Sequence, residues 1–358
     1  MKVIVPLILV GFLAQVAHFG TSTFGLHSLF GIWIPYFAFI VFLTGFVYKI
    51  LDWAKSPVPF SIVTTAGQAK SLDWIPANNL EAPHNTMGVV LRMALEVLFF
   101  RSLFRGTKAH MSEGPRLTYT SDKLLWLGGM AFHWSMLIIL LRHYRFFIDP
   151  VPGFVTAIEA VDGFFEIIVH SPIHDVTLPG LFITDLLILA SVGFLLSRRL
   201  LDPKVKFMSL LQDYFPLFMI LAISISGIQM RYLTKVDIVG VKNLIQSITH
   251  FAPDSSITVG PIFYVHIFLV SVFAMYFPFS KLMHAGGVFF SPTRNMKNNT
   301  REVRHINPWN PDIKIRTYME YEDDYRDKMK AAGLPLEVQP APKETAPKAE
   351  PVKEKKDE

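Results

Sequence analysis

Four histidines lie on two long apolar segments. LLWLGGMAFHWSMLIILLRHYRFF carries His133 and His143, ten residues apart, and GPIFYVHIFLVSVFAMYFPFSKLMHAGG carries His266 and His284, eighteen apart. Imidazole is costly in hydrocarbon unless something binds it, so an intramembrane histidine is a functional-site candidate by default. A neutral imidazole binds iron through one ring nitrogen and donates a hydrogen bond from the other. Two such pairs on two spans are read as axial ligands to the iron of two haem b groups. Hydrogen-bonded core histidines and a metal-transport path are the competing readings. A transport path draws on Asp, Glu or Cys at the same depth, and these two segments have none in their interiors. The chain contains no cysteine. Iron–sulfur clusters are held mainly by cysteine thiolates, so an electron carrier built on this chain cannot use ordinary clusters, and haem ligated by His is the remaining common option.

The elements that must position these residues are membrane spans. Of 358 residues, 51% are hydrophobic, and they come in blocks. About 20 apolar residues cross a bilayer core as a helix. Six blocks qualify, near 3–19, 28–50, 124–144, 179–197, 212–232 and 259–284. The fold class expected is all-α: an integral membrane bundle of six transmembrane helices. The first block has Lys2 ahead of it but no small-residue cleavage site after it, so it is read as retained. At about 1.5 Å and 100° per residue, a continuous helix puts His266 and His284 on one face, about 27 Å apart. His133 and His143 come out about 15 Å apart and roughly 80° around their helix. The two spans run antiparallel, which pairs His133 with His284 and His143 with His266.

Charge sets the orientation. The net charge is +5, and it marks loops rather than a nucleic-acid surface. Lys49, Lys55, Lys70, Arg92, Arg101, Arg105, Lys108, Arg116 and Lys123 crowd the second connection, and Arg198, Arg199, Lys204 and Lys206 follow the fourth block. By the positive-inside rule both termini lie in the cytoplasm. His133 and His284 then mark the inner side, and His143 and His266 the outer.

The chain divides into an N-terminal transmembrane hairpin (1–50), a cytoplasmic insertion (51–123), a four-helix membrane region (124–290), a cytoplasmic extension (291–334) and a proline- and charge-rich tail (335–358) read as disordered. Within the insertion, 87–105 reads as an amphipathic helix on the inner membrane surface, on a partner, or on the protein's own loops. FVTAIEAVDGFFEIIVH reads as a short helix at the outer interface. Arg142 and Arg145 beside His143 are candidate partners for haem propionates, as are Lys281 and Arg294 on the inner side; each can equally snorkel to the interface. Gly128, Gly129, Gly286 and Gly287 give a macrocycle room or let helices approach. Asp185 is read as an ion-pair partner of an outer arginine, with proton acceptance as the alternative. His18 and His27 read as interfacial and solvated, with a further cofactor or a quinone pocket as the alternative. His170 and His174 are assigned to the outer loop, and His84, His110, His250 and His305 to the surface.

At the two histidine segments, with FPFSKLMHAGG closing the last span, the chain resembles the nitrate reductase gamma subunit family, di-haem cytochromes b that anchor respiratory nitrate reductase. The first span, the long insertion, and LHSLFGIWIPYFAFIVFLTGF, SPVPF, TTAGQAKSL and FRSLF resemble DsrM-type membrane subunits of the sulfite-reduction-associated DsrMKJOP complex. That resemblance implies two haem b groups ligated by His133, His143, His266 and His284, and menaquinone as substrate. It also implies a DsrK-like cytoplasmic iron–sulfur partner, with other membrane and cytochrome c subunits. The alternative is a nitrate reductase gamma subunit serving a ferredoxin-like partner. On either reading the chain is an electron-transfer subunit of a quinol-linked oxidoreductase.

Overall fold

Each apolar block forms a helix, because in hydrocarbon a helix satisfies its own backbone hydrogen bonds. The computed structural model describes residues 1–56, 58, 61–62, 67–114, 116–164, 167–169, 176–178, 180–299 and 315–337. α1 (Ile4–Ser22) is followed by a π-turn (Leu29–Trp33) that runs into α2 (Ile34–Ala54). α3 (Thr86–Phe99) is capped by Asn85, whose side chain accepts from the Gly88 amide, and it stops at Phe100, which is left-handed at φ 47°. α4 (Arg101–Phe104) starts there. The expected single helix over 87–105 is thus two helices with Phe100 as the corner.

β1 (Thr107–Ser112) and β2 (Arg116–Ser121) pair antiparallel, a correction to the all-α expectation. Gly114, at φ +77°, lies in the turn between them. α5 (Lys123–His143) follows, then α6 (Gly153–Asp162), α7 (Ile183–Leu201), α8 (Pro203–Met208) and α9 (Leu211–Ile228). α10 (Ile238–Thr249), α11 (Pro261–Tyr276) and α12 (His284–Gly287) complete the helices of one compact unit, Met1–His305. In the second unit, Ile306–Glu358, α13 (Tyr318–Ala331) is opened by a Thr317/Glu320 capping box, and buried Glu322 pairs with Arg326 at 3.1 Å. The expected disordered tail lies outside the described residues from 338 onward.

Among the described residues, five helices are long and apolar enough to cross a membrane: Ile4–Ser22, Leu29–Ala54, Lys123–Phe146, Leu211–Leu233 and Pro261–Phe279. The remaining expected span is α7. It is 19 residues long but carries Asp185, Arg198 and Arg199, so charge sets it apart from the other five. Its buried face still belongs to the bundle. Ile188 and Val192 pack with Ile220 of α9 and with Phe132, Met136 and Ile139 of α5. A larger core joins α1, α9 and α11 through Ala17, Tyr214, Met219, Tyr264 and Leu269.

The final span is not the continuous helix expected over 259–284. α11 ends at Tyr276, a 3-10 turn covers Phe277–Phe279, and Ser280 is extended at φ −126° and ψ 174° before the chain turns back into helix at His284. Pro278 causes the break, since it has no amide hydrogen and crowds the preceding turn. It nests against Gly45 of α2, where a Cβ would meet the Pro278 ring at 2.8 Å.

Glycines beside the histidines serve helix packing. A Cβ on Gly128 would lie 2.5 Å from the Phe194 ring of α7, one on Gly286 3.3 Å from Phe46, and one on Gly287 3.3 Å from Trp53. Overpacking such a contact costs about 1–3 kcal/mol. Gly128→Leu is therefore expected to lower the detergent-solubilised protein's unfolding temperature. Gly11→Leu, with nothing within 4 Å of its Cβ position, is expected to leave it unchanged.

Candidate cofactor-binding site

The four histidines converge as two pairs. The rings of His143 and His266 stand 6.3 Å apart, centroid to centroid, with planes 5° from parallel. Those of His133 and His284 stand 6.0 Å apart, with planes at 82°. The break at Pro278 makes this possible. α5 is one unbroken helix, so its ten-residue spacing separates the two pairs by about 15 Å along its axis. A straight helix from His266 to His284 would overshoot that by about 12 Å; the turn after Tyr276 removes the excess.

Each imidazole has one nitrogen committed to the protein. Nδ1 of His133 lies 2.8 Å from the Gly129 carbonyl, and Nδ1 of His143 lies 2.7 Å from that of Ile139, each one turn back on α5. Nδ1 of His284 lies 2.8 Å from the Lys281 carbonyl. Nδ1 of His266 meets Ser226 Oγ of α9 at 2.9 Å, and that hydroxyl donates to the Ile223 carbonyl. Each of these oxygens is left to accept, so Nδ1 carries the proton and Nε2 the lone pair. Among the described residues no hydrogen bond is made by any of the four Nε2 atoms.

The spacing fits a shared ion. A metal–imidazole bond is about 2.0–2.1 Å, and a ring nitrogen lies about 1.2 Å from its centroid, so two imidazoles on opposite sides of one ion have centroids about 6.4 Å apart. Both observed separations are close to that. Among the described residues no three His, Cys, Asp or Glu side chains converge. Each pair offers two nitrogens, a donor set that fits the two protein ligands of a haem iron.

The surroundings differ at the two depths. At the His143/His266 pair, buried Arg142 bonds Asp185 at 2.6 Å and lies 3.3 Å from Asp162. Tyr232 donates to Asp185 at 2.8 Å, and Thr184 donates its hydroxyl to Asp162 at 2.6 Å. The Arg142 and Arg231 guanidiniums lie 3.8 and 3.9 Å from the centroid of the Phe182 ring. Asp185 is thus an ion-pair partner of an arginine, Arg142, as the sequence reading preferred. Arg145 pairs with Glu159 at 2.8 Å. At the His133/His284 pair, Phe100 meets the His133 ring edge-on at 4.8 Å. Trp126 and Trp134 of α5 donate to the Phe99 and Leu98 carbonyls at 2.7 and 3.0 Å, fastening α3 to α5. Lys281 pairs with Asp213 at 2.7 Å and Arg294 with Glu96 at 3.1 Å.

The other histidines stay apart from these pairs. His27 packs on Tyr264 with centroids 5.1 Å apart, while His18, His110 and His250 are exposed. His84 is partly buried and its Nδ1 has no hydrogen-bond partner among the described residues. His170, His174 and His305 lie outside the described residues. Ser226 and Phe100 had escaped the sequence reading. Neither belongs to a recognisable spacing, and both act from elements remote in sequence.

The nitrate reductase gamma subunit family profile matches residues 93–305, more than half the chain. The chain belongs to the nitrate reductase gamma subunit family. It is also 42% identical over 290 residues to a Hdr-like menaquinol oxidoreductase cytochrome b-like subunit of Archaeoglobus fulgidus, covering 79% of this chain and 84% of that protein. The protein of the same name from Archaeoglobus profundus is 36% identical over 288 residues, covering 79% of this chain and 83% of the relative. The gamma-family match runs from α3 to beyond α12 and includes all four histidines. The relatives align over a longer stretch than the profile does.

Removing one partner of a buried ion pair costs about 3–5 kcal/mol, because the other charge is left uncompensated. Arg142→Gln strands Asp185 and Asp162 and is expected to cause a large loss of thermal stability in detergent. Lys242→Gln, which breaks a pair with the 68%-exposed Asp149 side chain, is expected to change stability by less than about 1 kcal/mol.

Proposed function

We propose that this chain is the membrane di-haem b subunit of a menaquinol-linked oxidoreductase, a six-span protein with both termini in the cytoplasm. His143 and His266 hold the outer haem, and His133 and His284 the inner one. The observation that carries the reading is the pairing of the four rings at bis-imidazole centroid spacing, each with Nδ1 committed to the protein and Nε2 left without a hydrogen bond among the described residues. Bound in this way, haem b supplies reversible one-electron chemistry, with a potential tuned by axial ligand, burial and nearby charge.

The chain's own residues orient and insulate. Own-helix carbonyls and Ser226 fix the tautomer and ring angle of the ligands. Arg145, 35% exposed at its side chain, and Arg142, whose buried Nε has no hydrogen-bond partner among the described residues, are the proposed propionate partners at the outer haem. Menaquinol as electron source is supported by the names of the Archaeoglobus relatives. Its oxidation yields two electrons and two protons, and the protons leave on the outer side.

The Hdr-like element of those names supports a cytoplasmic heterodisulfide reductase-like iron–sulfur partner of DsrK type, docked on 51–122 and the C-terminal residues. Other membrane subunits and a cytochrome c complete the assembly. It serves sulfite or sulfur respiration, with a sulfur-carrier disulfide or trisulfide as final acceptor. The family match also favours a second reading, a nitrate reductase gamma subunit serving a ferredoxin-like partner. Affinity purification separates the two by the iron–sulfur protein recovered.

Purified protein is expected to show b-type bands in a reduced-minus-oxidised spectrum and two haems per chain. His143→Ala is expected to remove one haem only; loss of both, or of neither, overturns the pairing. Ser226→Ala is expected to weaken retention of the outer haem about 10–100-fold, the usual cost of losing a ligand's hydrogen-bond partner.

A further inference from the structure

The insertion after α2 brings an unbalanced group of arginines toward the inner pair. Arg92 and Glu96 are spaced at i and i+4, so they share one face of α3, and Phe100, at the end of that helix, meets the His133 ring. Arg294, ten residues beyond His284, reaches Glu96 from the segment after α12. Arg101 and Arg105 both close on Glu81. Four guanidiniums therefore share two carboxylates.

Arg92 is the member left over. It is only 7% exposed, and among the described residues no hydrogen bond or ion pair reaches it. Glu81 is taken by two arginines, and Glu96 accepts from the Ser102 hydroxyl and amide, at 2.7 and 2.9 Å, while facing Arg294. Burial pushes the Arg92 pKa below the ordinary arginine value; the nearby charges of Glu81 and Glu96 oppose that, while Arg294 and Arg101 add repulsion. A guanidinium keeps its proton in proteins and presents five donors in a planar fork. Four guanidiniums to two carboxylates leave positive charge in excess, which is destabilising in a buried setting, and a carboxylate or phosphate fits the Arg92 fork bidentately.

We propose that Arg92, with Arg294 beside it, binds an oxyanion next to the inner pair, and that this oxyanion is a propionate carboxylate of the haem held by His133 and His284. The proposal rests on the di-haem reading above. A lipid phosphate has the same chemistry and is separated from the propionate by the test.

The test uses full-length purified protein, with haem count, redox titration of the two b transitions, and bound phosphorus per chain as readouts. Removing a positive charge beside a propionate makes iron harder to reduce. Arg92→Gln is expected to move one transition to lower potential by at least about tenfold in the reduction equilibrium, 59 mV for one electron, and to leave the other in place. Arg92→Lys is expected to move it less. Arg105→Gln, on a side chain 49% exposed, is expected to move neither. If Arg92→Gln does not accumulate, Arg294→Gln is expected to shift the same transition in the same direction. Unmoved potentials with loss of bound phosphorus overturn the propionate in favour of a lipid, and unmoved potentials and phosphorus overturn the oxyanion site. Wild-type protein without haem overturns the di-haem reading itself, a result distinct from either.

Discussion

An imidazole inside a bilayer must have both ring nitrogens accounted for, and this requirement organises the rest of the molecule. Three of the four histidines give their Nδ1 proton to a backbone carbonyl three or four residues earlier, which costs the protein no second element. The fourth, His266, borrows Ser226 from α9, whose own proton is taken by Ile223. The consequence is a fixed tautomer with Nε2 as the remaining lone pair. A lone pair held in apolar surroundings with no donor is costly. Ligation by a metal ion removes that cost for both rings of a pair at once.

Bringing two rings together at each of two levels then dictates helix geometry. α5 is straight and sets the separation of the pairs. The last span has to match it while carrying its histidines eighteen residues apart, and Pro278 supplies the shortening. Gly45 accepts the Pro278 ring, so α2 is shaped to the break. Gly128 lets Phe194 close α7 onto α5, and the Arg142–Asp185 pair fastens α7 to the residue next to His143. The small residues beside the histidines thus hold the ligand-bearing helices in place, leaving the pairs themselves to the rings.

Much of this was legible in the sequence because membrane segments obey a narrow rule. Long apolar blocks can only be helices in hydrocarbon, and α1, α2, α5, α9 and α11 lie where the blocks predicted. The pairing of His133 with His284 and of His143 with His266 follows from antiparallel spans alone. The 27 Å separation assumed a continuous helix, although Pro278 stood inside the block as a visible signal against one. The hairpin 107–121 was hidden because β-pairing depends on a partner strand, and TKAHMS and RLTYTS have no apolar face to announce it. The corner at Phe100 and the Ser226 contact arise from tertiary packing, which no local pattern encodes. Arg142 was recognised as important from its place beside His143, but its two carboxylate partners lie 20 and 43 residues away.

The angle between axial imidazole planes governs how the iron d orbitals split, and the two pairs differ in that angle, 5° at one and 82° at the other. Electron paramagnetic resonance of the oxidised, purified protein reads this directly. Two low-spin ferric signals are expected, a rhombic one from the near-parallel outer pair and a highly anisotropic one from the near-perpendicular inner pair. A protein that shows no low-spin ferric signal contradicts bis-imidazole haem ligation at both depths.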